Sequence, residues 1–452
     1  MSNDRTAAVI GGGMAGMAAA YRLQQAGFEP TVFETRDRVG GRIWTVRKGD
    51  FLMDLGTAVY LGTYRDAIAM IHEVGLSDQF VEREATGAML RDGKVHHFDY
   101  TTPLRTALGT KAISWPSKVK ALKLAALTIR SRRGLGYDTY DALAELDTET
   151  VRRYCRRELN EELLQYCGRP LVSGTWVADD AETSLALMLW TIRNMLVPNV
   201  YNLTSGVIGL PNELARRVKV RYQHTVTNVS DDGATVEVSF DADASEQSER
   251  FDACVIATTA EPALEIFPQM DDNHRDLYST ARYRRLGSIC LGLSKRPTDP
   301  ATYVLGALCE DPDTIAVIAD HHKAPGRAPE GKGLLTVLLT HEYLNRTDHL
   351  SDEEVIAYAI DRASLYHGDI SGDVEETMVV RWPESVPALG VGRFRQIAAF
   401  KHRLDYSARV QFASDLDRIP GLNGALVSGQ EAAGRIAGAV TTGASAAAAT
   451  AP

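Results

Sequence analysis

The stretch "AAVIGGGMAGMAAAYRLQQAGFEPTVFETRDRVGGRIWT", residues 7–45, holds two glycine clusters, and the residue types around them admit few folds. Residues 6–10, "TAAVI", form a short apolar run suited to a buried parallel strand. The alanine-rich "MAGMAAAYRLQQAG" contains no breaker before Gly27, so it predicts a helix, and "PTVFE" (residues 30–34) predicts a second strand. Strand, glycine turn, helix and strand make up the setting in which G-x-G-x-x-G carries information. Gly11 permits the tight turn, Gly13 lets backbone approach a pyrophosphate, and Gly16 lets helix and strand pack closely. The helix N-terminus offers amide donors to the anion, and Glu34, ending the second strand, is placed to accept hydrogen bonds from an adenosine ribose.

This unit alone does not separate NAD from FAD. The second cluster, "RDRVGGRIWT", places Arg36, Arg38, Gly40, Gly41, Arg42 and Thr45 just beyond Glu34. G-x-G-x-x-G followed by E-x-R-x-x-x-G-G-R resembles the flavin-dependent amine oxidase, protoporphyrinogen oxidase and phytoene desaturase superfamily, whose members bind extended FAD. The resemblance implies that Arg36 and Arg42 lie along the adenosine and pyrophosphate end. It also implies that Met14, Ala15, Gly40 and Gly41 lie close to the cofactor. Arginine suits a diphosphate because its planar fork pairs with two oxygens at once.

Further stretches are similar to the same superfamily in the same order. "FLMDLGTAVYLG" (residues 51–62) resembles the segment passing the isoalloxazine ring, with Asp54 supporting a turn and Gly56 and Thr57 at the ring. "HTVTNVS" contains Val226, matching the residue whose backbone meets the adenine. In "GLNGALVSGQEAAGRIAGAV" we expect a strand at "ALVS", a tight turn at Gly429, and Glu431 facing the ribitol and pyrophosphate. A helix beginning at "GRIAGAV" would then aim free amides near Ile436 at the flavin.

The expected architecture is α/β: a Rossmann-type FAD-binding domain built from discontinuous segments (1–62, 200–265 and 395–440) plus a substrate domain of mixed sheet and helices. Residues 63–199 read as a helical cap, residues 266–394 as a β-rich substrate region, and 441–452 as a disordered, low-complexity tail. In "SDEEVIAYAIDRASLYHG", Ser351 and Glu354 predict a capping box.

Composition excludes several classes. A net charge of −10 argues against nucleic acid as a partner. The five cysteines include no C-x-x-C pair and there is no histidine at ligand spacing, so reduced thiols and no metal are expected. The N-terminus lacks the order of a secretory signal and no apolar run reaches the roughly 20 residues of a membrane span, which points to the cytoplasm. One stretch leaves two readings open. "WPSKVKALKLAALTIRSRRG" combines lysines and arginines with Val119, Leu122, Ala126 and Ile129 at helical spacing. Either the apolar stripe packs on its own domain, or the helix lies peripherally on an anionic membrane.

FAD supplies the hard chemistry, accepting a hydride at its N5 atom. The superfamily's amine oxidases carry a lysine on the strand corresponding to "RRLGSICLGLS", where Cys290 stands instead. No cysteine follows Cys309, so no C-terminal thioether to the flavin can form and noncovalent FAD is expected. "RWPESVPALGVGRFRQI" is similar to the protoporphyrinogen oxidase and desaturase branch, and implies Trp382 as a wall of the substrate pocket. The reading is an FAD-dependent oxidase or dehydrogenase removing a hydride and a proton from a small hydrophobic cyclic or alkyl substrate. The alternatives are an amine oxidase, a non-catalytic flavin-binding protein, or a nicotinamide dehydrogenase. The catalytic side chain, the electron acceptor (dioxygen or another) and the oligomeric state stay open.

Overall fold

The computed structural model describes residues 5–449 apart from 85, 195, 198, 243 and 244, with side chains as far as residue 438. Its first unit is as expected: strand β1 (Arg5–Ile10), helix α1 (Met14–Gln25) and strand β2 (Phe28–Glu34). β1 lies beside β2 on one side and beside Ala253–Ile256 on the other, all parallel. Lys219–Tyr222 extends the sheet past β2, and Val410–Phe412 extends it past Ala253–Ile256, again in parallel. The chain therefore leaves β1 in one direction and later returns on its other side. A crevice forms where such a sheet reverses, at the carboxyl ends of its strands. Gly11, Glu34, Thr258 and Asp415 all follow or end strands at that edge.

A second, seven-stranded sheet runs in the order Val374–Pro387, Tyr283–Leu293, Gly333–Leu339, Thr314–Ala319, Tyr303–Leu305, Thr86–Arg91 and Lys94–Asp99. Side chains alternate across a strand, so Ile289, Leu291 and Leu293 face one way, into a core completed by Val355, Ala359, Ala363 and Tyr366 of helix Asp352–His367. Leu286, Ser288 and Cys290 face the other way. That helix starts with the expected capping box between Ser351 and Glu354.

Two features differ from the sequence reading. Residues 63–199 are not helical throughout: Thr86–Arg91 and Lys94–Asp99 complete the mixed sheet, and Phe80–Glu84 pairs with Asn199–Leu203. The C-terminal segment "ALVS" is not a strand. The strand is Val410–Phe412; a loop through residues 413–421 follows it, and then one helix, Leu422–Ala449, which includes most of the stretch read as disordered. Alanine has the highest helix propensity of any residue, and the last dozen positions are rich in it. Residues 450–452 lie outside the described residues.

Burial behind the mixed sheet has a consequence for pH. The His321 imidazole is held below its usual 6.5, at about 4, chiefly by burial, opposed by its contact with the Leu334 carbonyl at 2.9 Å. Between those two values the unfolded chain binds a proton that the folded chain does not. Stability is therefore lost as pH falls from about 6.5 toward 4, by up to about 3 kcal/mol from this group. Urea midpoints at neutral pH and near pH 5 should differ accordingly, and His321→Gln should reduce the difference.

Candidate functional site

The two glycine clusters meet. Gly40 N–H donates to the Gly12 carbonyl at 2.8 Å, Gly13 and Gly40 form a parallel bridge, and a Cβ on Gly41 would lie 3.3 Å from Gly13 Cα. Gly11, Gly40 and Gly41 have φ of 103°, 102° and 57°, the left-handed region that favours glycine. Gly16 is needed for another reason: its Cβ would fall 1.9 Å from the Gly11 carbonyl oxygen. Gly13 is different again, because a Cβ there meets nothing within 4 Å. It faces open space at the start of α1, whose first turn has no acidic residue and no side-chain cap. First-turn amides have no intrahelical acceptor, so this end of α1, with Met14 and Ala15 in that turn, attracts an anion.

Glu34 borders the same space. Its two carboxylate oxygens accept from Gly12 N–H at 2.7 Å and Arg36 N–H at 2.9 Å. Each oxygen retains a further lone pair, enough for a sugar hydroxyl. The Glu34 carbonyl accepts from His224 N–H at 3.1 Å, and Val226 follows two residues later, near the start of the strand Thr225–Asp231. The Arg36 guanidinium is exposed and donates to the Gly41 carbonyl at 3.3 Å. Arg38 stacks 4.5 Å over Trp44, and burial lowers it to about 10, so it remains charged at neutral pH.

Arg42 joins the glycine clusters to the C-terminal quarter of the chain. It donates to Asp415 at 2.9 Å and to the Ser385 carbonyl at 2.9 Å, and its own carbonyl accepts from Thr57 N–H at 3.3 Å. A Cβ on Gly56 would lie 1.9 Å from that same carbonyl and 3.4 Å from Trp382. The Trp382 indole donates to the Leu55 carbonyl at 2.7 Å and packs edge-on against Trp44. Gly56, Thr57, Arg42 and Trp382 are thus brought together in the structure.

Glu431, Gly429 and Ile436 are not. Glu431 pairs with Arg418 at 2.9 Å, and the acid at the crevice is Asp415, three residues past the strand Val410–Phe412. Gly429 makes no turn: its Cβ would lie 2.0 Å from the Ala15 carbonyl, so it lets the C-terminal helix press against α1. Ile436 lies inside that helix, buried in the same interface, and its amide is not at a helix start.

The mixed sheet turns an apolar face toward residues 55–58. Leu286, Ile315, Ala316, Ile318 and Trp382 cluster there with Ala58 and Val177. The polar groups on this face are buried and local. Cys290 Sγ lies 3.1 Å from Thr336 Oγ1, which donates to Asp320, and Asp320 pairs with buried Lys323. Sequence spacing gave no sign of Lys323, which comes from the loop after Thr314–Ala319 rather than from the Cys290 strand. Burial raises the Cys290 thiol far above its ordinary range, so it is no nucleophile at neutral pH. Two other clefts fit a cofactor poorly. One, of about 550 Å³ beside Tyr283 and Pro383, is lined by Glu261, Glu265 and Glu384, which repel a diphosphate. The other, of about 150 Å³ behind Val177 and Ile315, holds Arg152 and Arg169, both already paired with Asp180. No metal-binding group of His, Cys, Asp and Glu occurs among the described residues.

Residues 14–450 match the model of a family described as flavin containing amine oxidoreductase. The chain is similar to coproporphyrinogen III oxidase of Bacillus subtilis (strain 168), with 22% identity over 88% of this chain and 90% of the relative. It is also similar to polyamine oxidase 4 of Oryza sativa subsp. japonica, 23% identical over 84% of this chain and 77% of that one. Among solved structures, cyclohexylamine oxidase from Brevibacterium oxydans IH-35A shares the fold, with a TM-score of 0.77 over 97% of this chain and 100% of the other, at 18% identity. The chain belongs to the flavin containing amine oxidoreductase family, and it is an FAD-dependent oxidoreductase.

Proposed function

We propose that this oxidoreductase removes a hydride and a proton from a small hydrophobic cyclic substrate of the porphyrinogen or alicyclic kind. The observation that carries the reading is the apolar sheet face around Leu286, Ile318 and Trp382, opposite residues 55–58. Its core is built of apolar side chains, and below it Lys323 and Asp320 neutralise each other. Similarity to coproporphyrinogen III oxidase over nearly the full length of both chains supports the same substrate class.

When bound, FAD supplies the hydride acceptor. Gly13 and the start of α1 would hold the diphosphate, with Arg42, fixed by Asp415, as its countercharge. Glu34 would accept from the adenosine ribose hydroxyls, and the Val226 backbone would meet the adenine. Gly56 and Thr57 would border the ring, with Trp382 fixed against Gly56 by its bond to the Leu55 carbonyl. The buried apolar face excludes water from the reacting carbon. FAD is held noncovalently.

Polyamine oxidase 4 among the relatives keeps amine oxidation as the second reading. Anaerobic addition of a porphyrinogen, an alicyclic ketone or an amine to the purified protein separates the two by bleaching of flavin absorbance near about 450 nm. Bleaching by the porphyrinogen or the carbocycle is the expected result. Bleaching by amines alone would reverse the assignment, and bleaching by none of a broad panel would favour a binding protein without turnover. Acid precipitation should leave the flavin in the supernatant.

A further inference from the structure

The helix Trp115–Ser131 presents the wrong side to solvent for a protein that meets only water. Successive helical residues are about 100° apart, so Trp115, Val119, Leu122, Ala126 and Ile129 form one stripe, and all five are exposed. Trp115, Val119, Leu122 and Ile129 are each more than 60% exposed. The opposite side, Ser117 and Thr128 with Ala121 and Leu124, faces the protein, and Ser114 and Ser117 donate to Glu162 beneath it. Leu104 and Leu108, in the preceding short helix, add to the outward apolar surface. Large exposed apolar patches mark contact sites. The stripe therefore does not pack on its own domain, which was the first of the two sequence readings.

The charge around the stripe indicates what covers it. Residues 100–137 contain eight basic side chains (Arg105, Lys111, Lys118, Lys120, Lys123, Arg130, Arg132, Arg133) and no acidic one, in a chain whose net charge is −10. Of the eight, Lys123 alone meets a carboxylate among the described residues, Glu158 at 3.4 Å. A second copy of this surface would bring eight positive charges against eight, which opposes self-association. Nucleic acid matches the charge but offers nothing for a stripe of Trp, Val, Leu and Ile. An anionic bilayer matches both, because acyl chains take the apolar stripe while lipid phosphates take the flanking lysines and arginines.

We propose that helix Trp115–Ser131 docks this protein peripherally on membranes rich in anionic lipid, lying in the plane of the interface. No helix among the described residues is long and apolar enough to cross a membrane, so the contact rests on this surface.

The test is flotation of the full-length flavin-loaded protein with vesicles of phosphatidylglycerol and phosphatidylcholine, and with phosphatidylcholine alone. Anionic vesicles should carry the protein, with binding about tenfold weaker on neutral vesicles or at about 0.5 M salt. The variants Val119→Ser/Leu122→Ser/Ile129→Ser and Arg130→Glu/Arg132→Glu/Arg133→Glu should each lose about tenfold in vesicle binding while keeping flavin content and melting temperature. If a triple variant does not fold, Leu122→Ser and the salt series on the natural protein separate the same outcomes. Absence of flotation with anionic vesicles, or equal flotation of every variant, would overturn the proposal. So would light scattering that shows a dimer abolished by the apolar triple variant, or nucleic-acid binding without vesicle binding.

Discussion

Arg327→Met is expected to destabilise the protein by about 3–5 kcal/mol, enough to abolish soluble expression if the natural margin is ordinary. Arg327 and Asp54 are both fully buried, with Nη1 and Oδ2 2.8 Å apart. Arg327 also donates to Asn202 at 2.5 Å, and Asp54 accepts from Thr45 at 2.5 Å and from Val207 N–H at 3.3 Å. The pair thus ties residues 45–54, just before the proposed ring segment, to residues 202–207 and to the loop carrying Arg327. Removing the cation leaves Asp54 charged, unpaired and away from water. The double variant Arg327→Met/Asp54→Asn should recover part of the loss, since an amide still accepts from Thr45 and Val207 but carries no charge. Urea denaturation of the three proteins measures this, and equal losses for single and double variants would mean that the buried charge is not the cause.

Gly16→Ala should be nearly as damaging, for a purely steric reason. The added methyl would sit 1.9 Å from the Gly11 carbonyl oxygen and 3.3 Å from the Ala257 side chain, and neither backbone can yield without opening the turn. Overpacking of this kind costs about 1–3 kcal/mol and sometimes more, and here it also displaces α1 from β1. We expect a lower melting temperature together with flavin loss, and addition of excess FAD should restore little of either. A natural melting temperature would show that the turn is looser than the 1.9 Å contact implies.

These positions differ in how far the sequence revealed them. Gly11, Gly13, Gly16 and Glu34 were legible because local spacing alone dictates their geometry. The Ser351–Glu354 capping box was legible for the same reason. The C-terminal acid was misplaced because the true strand, Val410–Phe412, is only three residues long, while Leu426 and Val427 make a more strand-like run inside a helix. Gly429 looked like a turn, yet its role is set by a partner more than 400 positions away, the Ala15 carbonyl. Arg42 with Asp415, and Lys323 with Asp320 beneath Cys290 and Thr336, are meetings of distant segments that no local pattern announces. The stripe on Trp115–Ser131 was visible as a period, but periodicity does not say which side of a helix faces water.

The flavin content of purified Gly13→Ala tests the central claim, that the open space against Gly13 is where the cofactor's diphosphate lies. Gly13 has φ −69° and ψ 177°, which any residue adopts, and a methyl there touches nothing in the protein itself. We expect a normally folded, stable protein that retains about a tenth or less of the natural flavin. A stoichiometrically yellow Gly13→Ala protein would contradict it.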